Sequence, residues 1–141
     1  MNLRTVLRLV GVLVMFIGLS MSFSLLWSLY LDEPDVGALA MSMLICLGAG
    51  GGLFALGWGS QAPIMRREGM AMVGLSWLLA ALFGALPFYL SGATPNFADA
   101  YFEAMSGFTT TGSTVLTDIE ALPKGVLFWR SFTHWLGGMG I

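Results

Sequence analysis

Three long apolar stretches set the pattern of the chain. Residues 9–31, 36–65 and 69–97 contain no Asp, Glu, Lys or Arg, and the charges fall in the short gaps between them. A spanning helix needs about 20 predominantly apolar residues to cross about 30 Å of hydrocarbon, because its backbone N–H and C=O groups must all be satisfied within the segment. The three stretches are therefore expected to be transmembrane helices, the third over residues 70–90.

Beyond residue 90 the pattern changes. Residues 91–96 are polar and rich in turn formers, whereas residues 97–108 are apolar again but too short to span, covering only about 18 Å as helix. Asn96 is a good N-cap, Asp99 puts a carboxylate in the first turn, where it favours the helix dipole, and Gly107 permits a break near the other end. The segment reads as a re-entrant half-helix. Thr109, Thr110, Thr111, Gly112, Ser113 and Thr114 follow, and then a second polar stretch with Asp118 and Glu120. Residues 122–141 open with Pro123 at a favourable first-turn position and contain Trp129 and Trp135, which predicts a fourth helix heading inward. At about 1.5 Å per residue this segment barely reaches the far face, and no Lys or Arg anchors its end, so the chain is expected to be a fragment of something longer. The expected fold is an all-α membrane protein: two leading transmembrane helices in residues 1–67, then in residues 68–141 one unit of helix, re-entrant pore half-helix, filter loop and incomplete helix, truncated.

Composition narrows the function. Of 141 residues 57% are hydrophobic and 10% charged, far too apolar for a soluble domain. Six Lys and Arg against eight Asp and Glu leave no basic surface to neutralise a row of phosphates, which excludes nucleic-acid binding as the main activity. Cys46 stands alone and cannot form an internal disulfide, a single His134 leaves no ligand set for structural zinc, and no cofactor is expected. No nucleophile and base pair, and no paired carboxylates, occur at a spacing suited to hydrolysis, so the chain is not expected to be an enzyme. Charge also orients the helices, since Lys and Arg near helix ends are retained on the cytoplasmic side. Arg4 and Arg8 precede the first helix and Arg66 and Arg67 follow the second, whereas Asp32, Glu33 and Asp35 lie between the two. The amino terminus is expected inside, and the apolar run after Arg8 is too long for a secretory signal, so an uncleaved anchor is expected.

The threonine-rich run carries the candidate chemistry. A permeant cation gives up its water only where oxygen dipoles replace it, and a short loop of successive backbone carbonyls at the tip of a half-helix supplies them. Here β-branched threonines favour extended geometry and add hydroxyl oxygens, while Gly112 permits the positive φ that aims a carbonyl at an axis. The half-helix would point its negative dipole end at the same place. On composition alone the same run is also compatible with a hydroxyl-rich extracellular turn.

Residues 102–141, FEAMSGFTTTGSTVLTDIEALPKGVLFWRSFTHWLGGMGI, closely resemble the first pore loop and following helix of Trk-type potassium transporters, the TrkH-like branch of the Trk/Ktr/HKT superfamily. The order of two leading helices and then a helix, half-helix, filter and helix is similar to the amino-terminal part of that family, so the resemblance covers the whole chain. It implies potassium passage through a pore of four such units in one polypeptide, each giving one filter strand. Thr110, Thr111, Gly112 and Ser113 fall on the filter motif, Gly112 on its glycine, with Thr109 and Thr114 flanking it. One copy of the element is present, so the remaining pore units, or further copies of the chain, are implied partners. The resemblance also implies K+ as the transported ion, a cytoplasmic (inner) membrane location in a lipid bilayer, uptake down the gradient or by symport, and a cytosolic nucleotide-binding regulatory subunit touching a surface this chain mostly lacks. The alternative readings are a non-conducting membrane remnant or assembly subunit, and a cation channel of four short chains.

Other residues carry weaker expectations. Glu103 and Asp99 would either raise cation concentration at an entrance or act as solvated and capping acids. Asp118 and Glu120 would form part of an outer acidic rim acting over about 8 Å, the Debye length at physiological salt. Arg130 lies inside the last helix, where a lone charge in hydrocarbon costs about 2.5–3.5 kcal/mol, so it should find a partner or snorkel, bonding half-helix or loop carbonyls or else acting in conduction. His134 lies on the same helical face and either pairs with it or packs beside it. The GAGGG run at residues 48–52 lies within an apolar span, which argues against a dinucleotide site, and Gly48 with Gly52 is expected to let another helix approach closely. Trp27, Tyr30 and Tyr89 read as interfacial anchors.

Overall fold

In a computed structural model that describes residues 2–140, the first apolar stretch forms α1 (Leu3–Tyr30) and the second forms α2 (Val36–Leu56). The two meet along glycines. A Cβ on Gly11 would stand 2.7 Å from the Gly50 carbonyl oxygen, and one on Gly50 would stand 2.7 Å from the Met15 nitrogen, so only hydrogen fits on either side. Gly48 and Gly52, the pair expected to seat a neighbouring helix, have nothing within 4 Å of their Cβ positions. At about 100° per residue the glycine run covers several faces of the helix, and the face that turns to α1 is the one carrying Gly50.

Helix boundaries depart from the apolar stretches where local chemistry intervenes. Helix α1 starts at Leu3, so Arg4 and Arg8 lie in its first turns instead of before it. Helix α2 stops at Leu56, well short of residue 65, because Gly57 backs against the Arg8 nitrogen, 2.6 Å from its Cβ position, and Gly59 at φ +83° and then Pro63 lead the chain away. Helix α3 (Arg66–Gly84) begins before residue 70 because Glu68 reaches back to accept the Met65 N–H at 3.2 Å. That carboxylate offsets Arg66 and Arg67, whose charges oppose the dipole at a helix start. Its other oxygen accepts the Asn2 N–H, tying the amino-terminal end of the chain to α3.

At Ala85 the third apolar segment turns into the short α4 (Leu86–Leu90). Pro87 has no N–H, so the Phe83 carbonyl lacks its helical donor and the Cys46 thiol faces it at 4.0 Å. The neighbouring Gly84 carbonyl accepts the buried Trp129 indole N–H at 2.9 Å. The half-helix forms as expected: α5 (Phe97–Phe108) starts at Asn96, whose side chain accepts the Asp99 N–H at 2.8 Å. Helix α6 (Lys124–Gly138) follows, with Pro123 at the cap and not in the first turn.

The core joins these elements. Val6, Val10, Val14, Ile17 and Met21 recur at helical spacing along the inner face of α1, and Phe88, Ala104, Phe108, Trp129 and Leu136 complete the cluster from α4, α5 and α6. The opposite face of α1 presents Val12, Phe16, Leu19 and Phe23 to the surroundings, a contiguous apolar stripe suited to hydrocarbon. Helices α1 and α2 and the segment Arg66–Leu90 are long and apolar enough to cross a membrane. No β-strand is present among the described residues.

Asp35, one of the three acids between the first two helices, is 2% exposed. Its carboxylate accepts the Ser28 hydroxyl and, at 2.7 Å, the Val126 N–H, so the α1–α2 turn caps the start of α6. Gly125 makes room for it, its Cβ position lying 2.6 Å from the same carboxylate. Asp35→Ala is expected to cost about 1–3 kcal/mol, since it removes the cap and strands two buried donors. Thermal unfolding in detergent reads this as an earlier midpoint; an unchanged midpoint would show that the tie contributes nothing.

Candidate functional site

Residues 109–114 leave the C-terminal end of α5 as an irregular strand that is exposed throughout. The end of the helix is wrapped by two backbone bonds, Thr110 N–H to the Gly107 carbonyl and Thr111 N–H to the Ser106 carbonyl, both 2.9 Å. Thr110 takes φ +55° and Gly112 φ +78°. Glycine adopts that region freely, but a β-branched residue does not, so Thr110 is the strained position and the one that residue type gave no reason to expect. Further on, the Ser106 hydroxyl donates to the Ser113 carbonyl at 2.6 Å. Ser106 thus holds the strand on both sides of Gly112, through its carbonyl and through its hydroxyl.

Between these tethers the carbonyls of residues 109–112 accept no hydrogen bond among the described residues. The Thr109 hydroxyl donates back to the Met105 carbonyl at 2.7 Å and lies 2.8 Å from the Thr111 hydroxyl. A cleft of about 150 Å³ lined by Phe102, Met105, Ser106, Thr109, Thr111 and Ser113 runs beside the strand. Free carbonyl and hydroxyl oxygens at the negative end of a half-helix are suited to replacing the water of a monovalent cation.

Glu103, expected either to concentrate cations at an entrance or to be a solvated or capping acid, is 1% exposed. One carboxylate oxygen accepts the Val115 N–H at 2.7 Å and the Thr114 hydroxyl, and the other lies 3.4 Å from Arg130 Nε. Arg130, itself 17% exposed, therefore finds a carboxylate where carbonyls were expected, and its charge offsets the desolvation of the buried Glu103 carboxylate. His134 does not meet the guanidinium; its Nδ1 lies 2.8 Å from the Arg130 carbonyl oxygen within the helix. Asp118 and Glu120 remain exposed in the loop before α6, where Asp118 accepts the Ala121 N–H at 3.2 Å. Ser106 was not anticipated, although its spacing of three from Glu103 puts both on one face of α5.

Residues 38–141 match the sequence pattern of the TrkH family, described as cation transport protein. The chain belongs to that family. Among TrkH relatives, it is 38% identical to the Trk system potassium uptake protein TrkH of Halomonas elongata and 36% identical to the protein of the same name from Escherichia coli, in both cases over its whole length. It superposes on the crystal structure of the potassium transporter TrkH from Vibrio parahaemolyticus with a TM-score of 0.93 at 31% identity, covering all of this chain. The chain spans about 30% of the length of these TrkH proteins. The resemblance read from residues 102–141 and the expected all-α order of helices are thereby borne out, and the TrkH family places the chain among multi-pass membrane proteins.

Proposed function

We propose that this chain supplies the first pore unit of a potassium uptake transporter in the cytoplasmic membrane, with residues 109–113 as one of four filter strands. The observation that carries the reading is the row of unpaired carbonyls from Thr110 to Gly112 at the end of α5, tethered on both sides by Ser106. Relatives named as potassium uptake proteins support K+ as the cargo and a transport role instead of an enzymatic one. Residues 1–67 serve as a supporting hairpin and residues 68–141 as the pore unit, with the amino terminus inside, as the placement of Arg4, Arg8, Arg66 and Arg67 favours. Asp118 and Glu120 then sit near the outer mouth. A cytosolic nucleotide-binding subunit would reach this unit only from the side of residues 57–65.

The test is growth at limiting potassium in cells lacking their own uptake systems. Two forms are supplied: the 141-residue chain alone, and one polypeptide joining it to three further pore units. Growth with the joined form alone supports the proposal. Growth with the chain alone would mean that four copies assemble a filter, and growth with neither, despite membrane insertion of both, would leave the non-conducting reading.

A further inference from the structure

The half-helix α5 reaches the strand with two arms from one face. Ser106 holds Ser113, and one turn earlier Glu103 holds the next two residues, accepting from the Thr114 hydroxyl and from the Val115 N–H at 2.7 Å. These bonds use one carboxylate oxygen. The other lies against Arg130 Nε at 3.4 Å, so the single buried carboxylate joins the strand to α6. Helix α6 is itself held at its start by Asp35 and in its middle by the Trp129 bond to Gly84.

The geometry points to Glu103 and Arg130 as positioning residues that fix the far end of the filter strand and thereby its choice between cations, an inference that rests on the filter reading above. Neither residue offers an oxygen to the ion. Glu103 is sealed from the cleft at 1% exposure, and both of its oxygens are engaged. Their effect passes through Thr114 and Val115, which decide how far the carbonyls of residues 110–112 can relax around a smaller ion. A carboxylate is needed because all its neighbours are donors: an N–H, a hydroxyl and a guanidinium. In Glu103→Gln one oxygen becomes an NH2 group, which sets a donor against a donor beside Arg130.

The experiment measures potassium uptake and the K+ to Na+ uptake ratio in the complete transporter, with membrane protein quantified for every variant. Losing the ion pair and setting an NH2 group against the guanidinium is worth a factor of about ten, so Glu103→Gln is expected to raise the KM for K+ about tenfold and to lower the ratio by a similar factor. Thr114→Val removes one of the two strand donors and should give a smaller shift of the same kind, about threefold. Adding Arg130→Gln to Glu103→Gln restores matched donors and acceptors, and should recover most of the KM and the ratio. Gly112→Ser serves as the reference for the filter itself. If Gly112→Ser alters the ratio while the Glu103 and Thr114 variants change only the amount of protein, the positioning role is overturned and the filter reading stands. If Gly112→Ser leaves the ratio untouched, the filter reading falls and this inference with it.

Discussion

Replacing Gly112 by serine is expected to relax selectivity toward sodium, and replacing it by valine to abolish it. Nothing lies within 4 Å of the Gly112 Cβ position, so neither side chain is excluded by lack of room. The penalty is conformational. At φ +78° any L side chain meets its own backbone, at a cost of about 1–3 kcal/mol, larger when the residue is β-branched. The strand cannot spread that strain along its length, because Thr111 N–H is fixed to Ser106 on one side and the Ser113 carbonyl to the same residue on the other. Relief comes from returning φ at residue 112 to negative values, which swings the adjoining carbonyls away from their present direction.

If those carbonyls form the ion cage, rotating them changes the oxygen field that distinguishes K+ from Na+. A change of about 1–3 kcal/mol corresponds to a factor of about 5–150 in the K+ to Na+ uptake ratio, so serine should fall at the low end of that range and valine at the high end. Alanine, the smallest intrusion, should fall below both. The measurement is the uptake ratio in the complete transporter at matched protein levels. A ratio that stays at its original value across all three substitutions would remove residues 109–113 from the ion path.

Elements governed by near neighbours were legible in the chain. The limits of α5 agree with expectation residue for residue because both are set locally: Asn96 and Asp99 close the start, and the change from apolar to hydroxyl-rich residues marks the end. What escaped was governed by residues far apart in sequence. Helix α2 ends at Leu56, where Gly59 and Pro63 turn the chain but Gly57 also meets α1 at Arg8, a contact that no local pattern encodes. Arg130 in an apolar helix needs a partner, but in sequence Glu103 is indistinguishable from a solvated acid, and only the packing of α5 against α6 pairs the two. Asp35 reads as one of three loop acids, yet it alone folds inward to cap a helix 91 residues away, bonding Val126 N–H. The glycine-rich run signalled close packing correctly in kind, but the contact falls on Gly50, since only the third dimension says which face of α2 meets α1.

The second large effect is expected at Gly137. Here α6 passes so close to the end of α5 that a Cβ would overlap the Phe108 carbonyl oxygen and stand 2.7 Å from its carbonyl carbon and 3.0 Å from the Gly107 oxygen. These are backbone atoms at the point where the strand leaves the helix, so they cannot rotate aside as a side chain would. On the facing helix, Gly107 is equally confined, its Cβ position lying 2.8 Å from Thr133 Cβ. Gly137→Val must therefore push α6 away or displace residues 108–109, and overpacking of that kind costs about 3 kcal/mol. Gly138→Val is the control, because it lies in the same last turn of α6 and nothing stands within 4 Å of that Cβ position. Thermal unfolding in detergent should show a markedly lower midpoint for the variant at 137 and little change at 138, and potassium uptake should be lost only in the former. Equal behaviour of the two would mean that α6 does not approach the half-helix this closely. A large difference would tie the seat of α6 to the filter strand, since the atoms crowded at Gly137 are those that launch Thr109 toward Ser113.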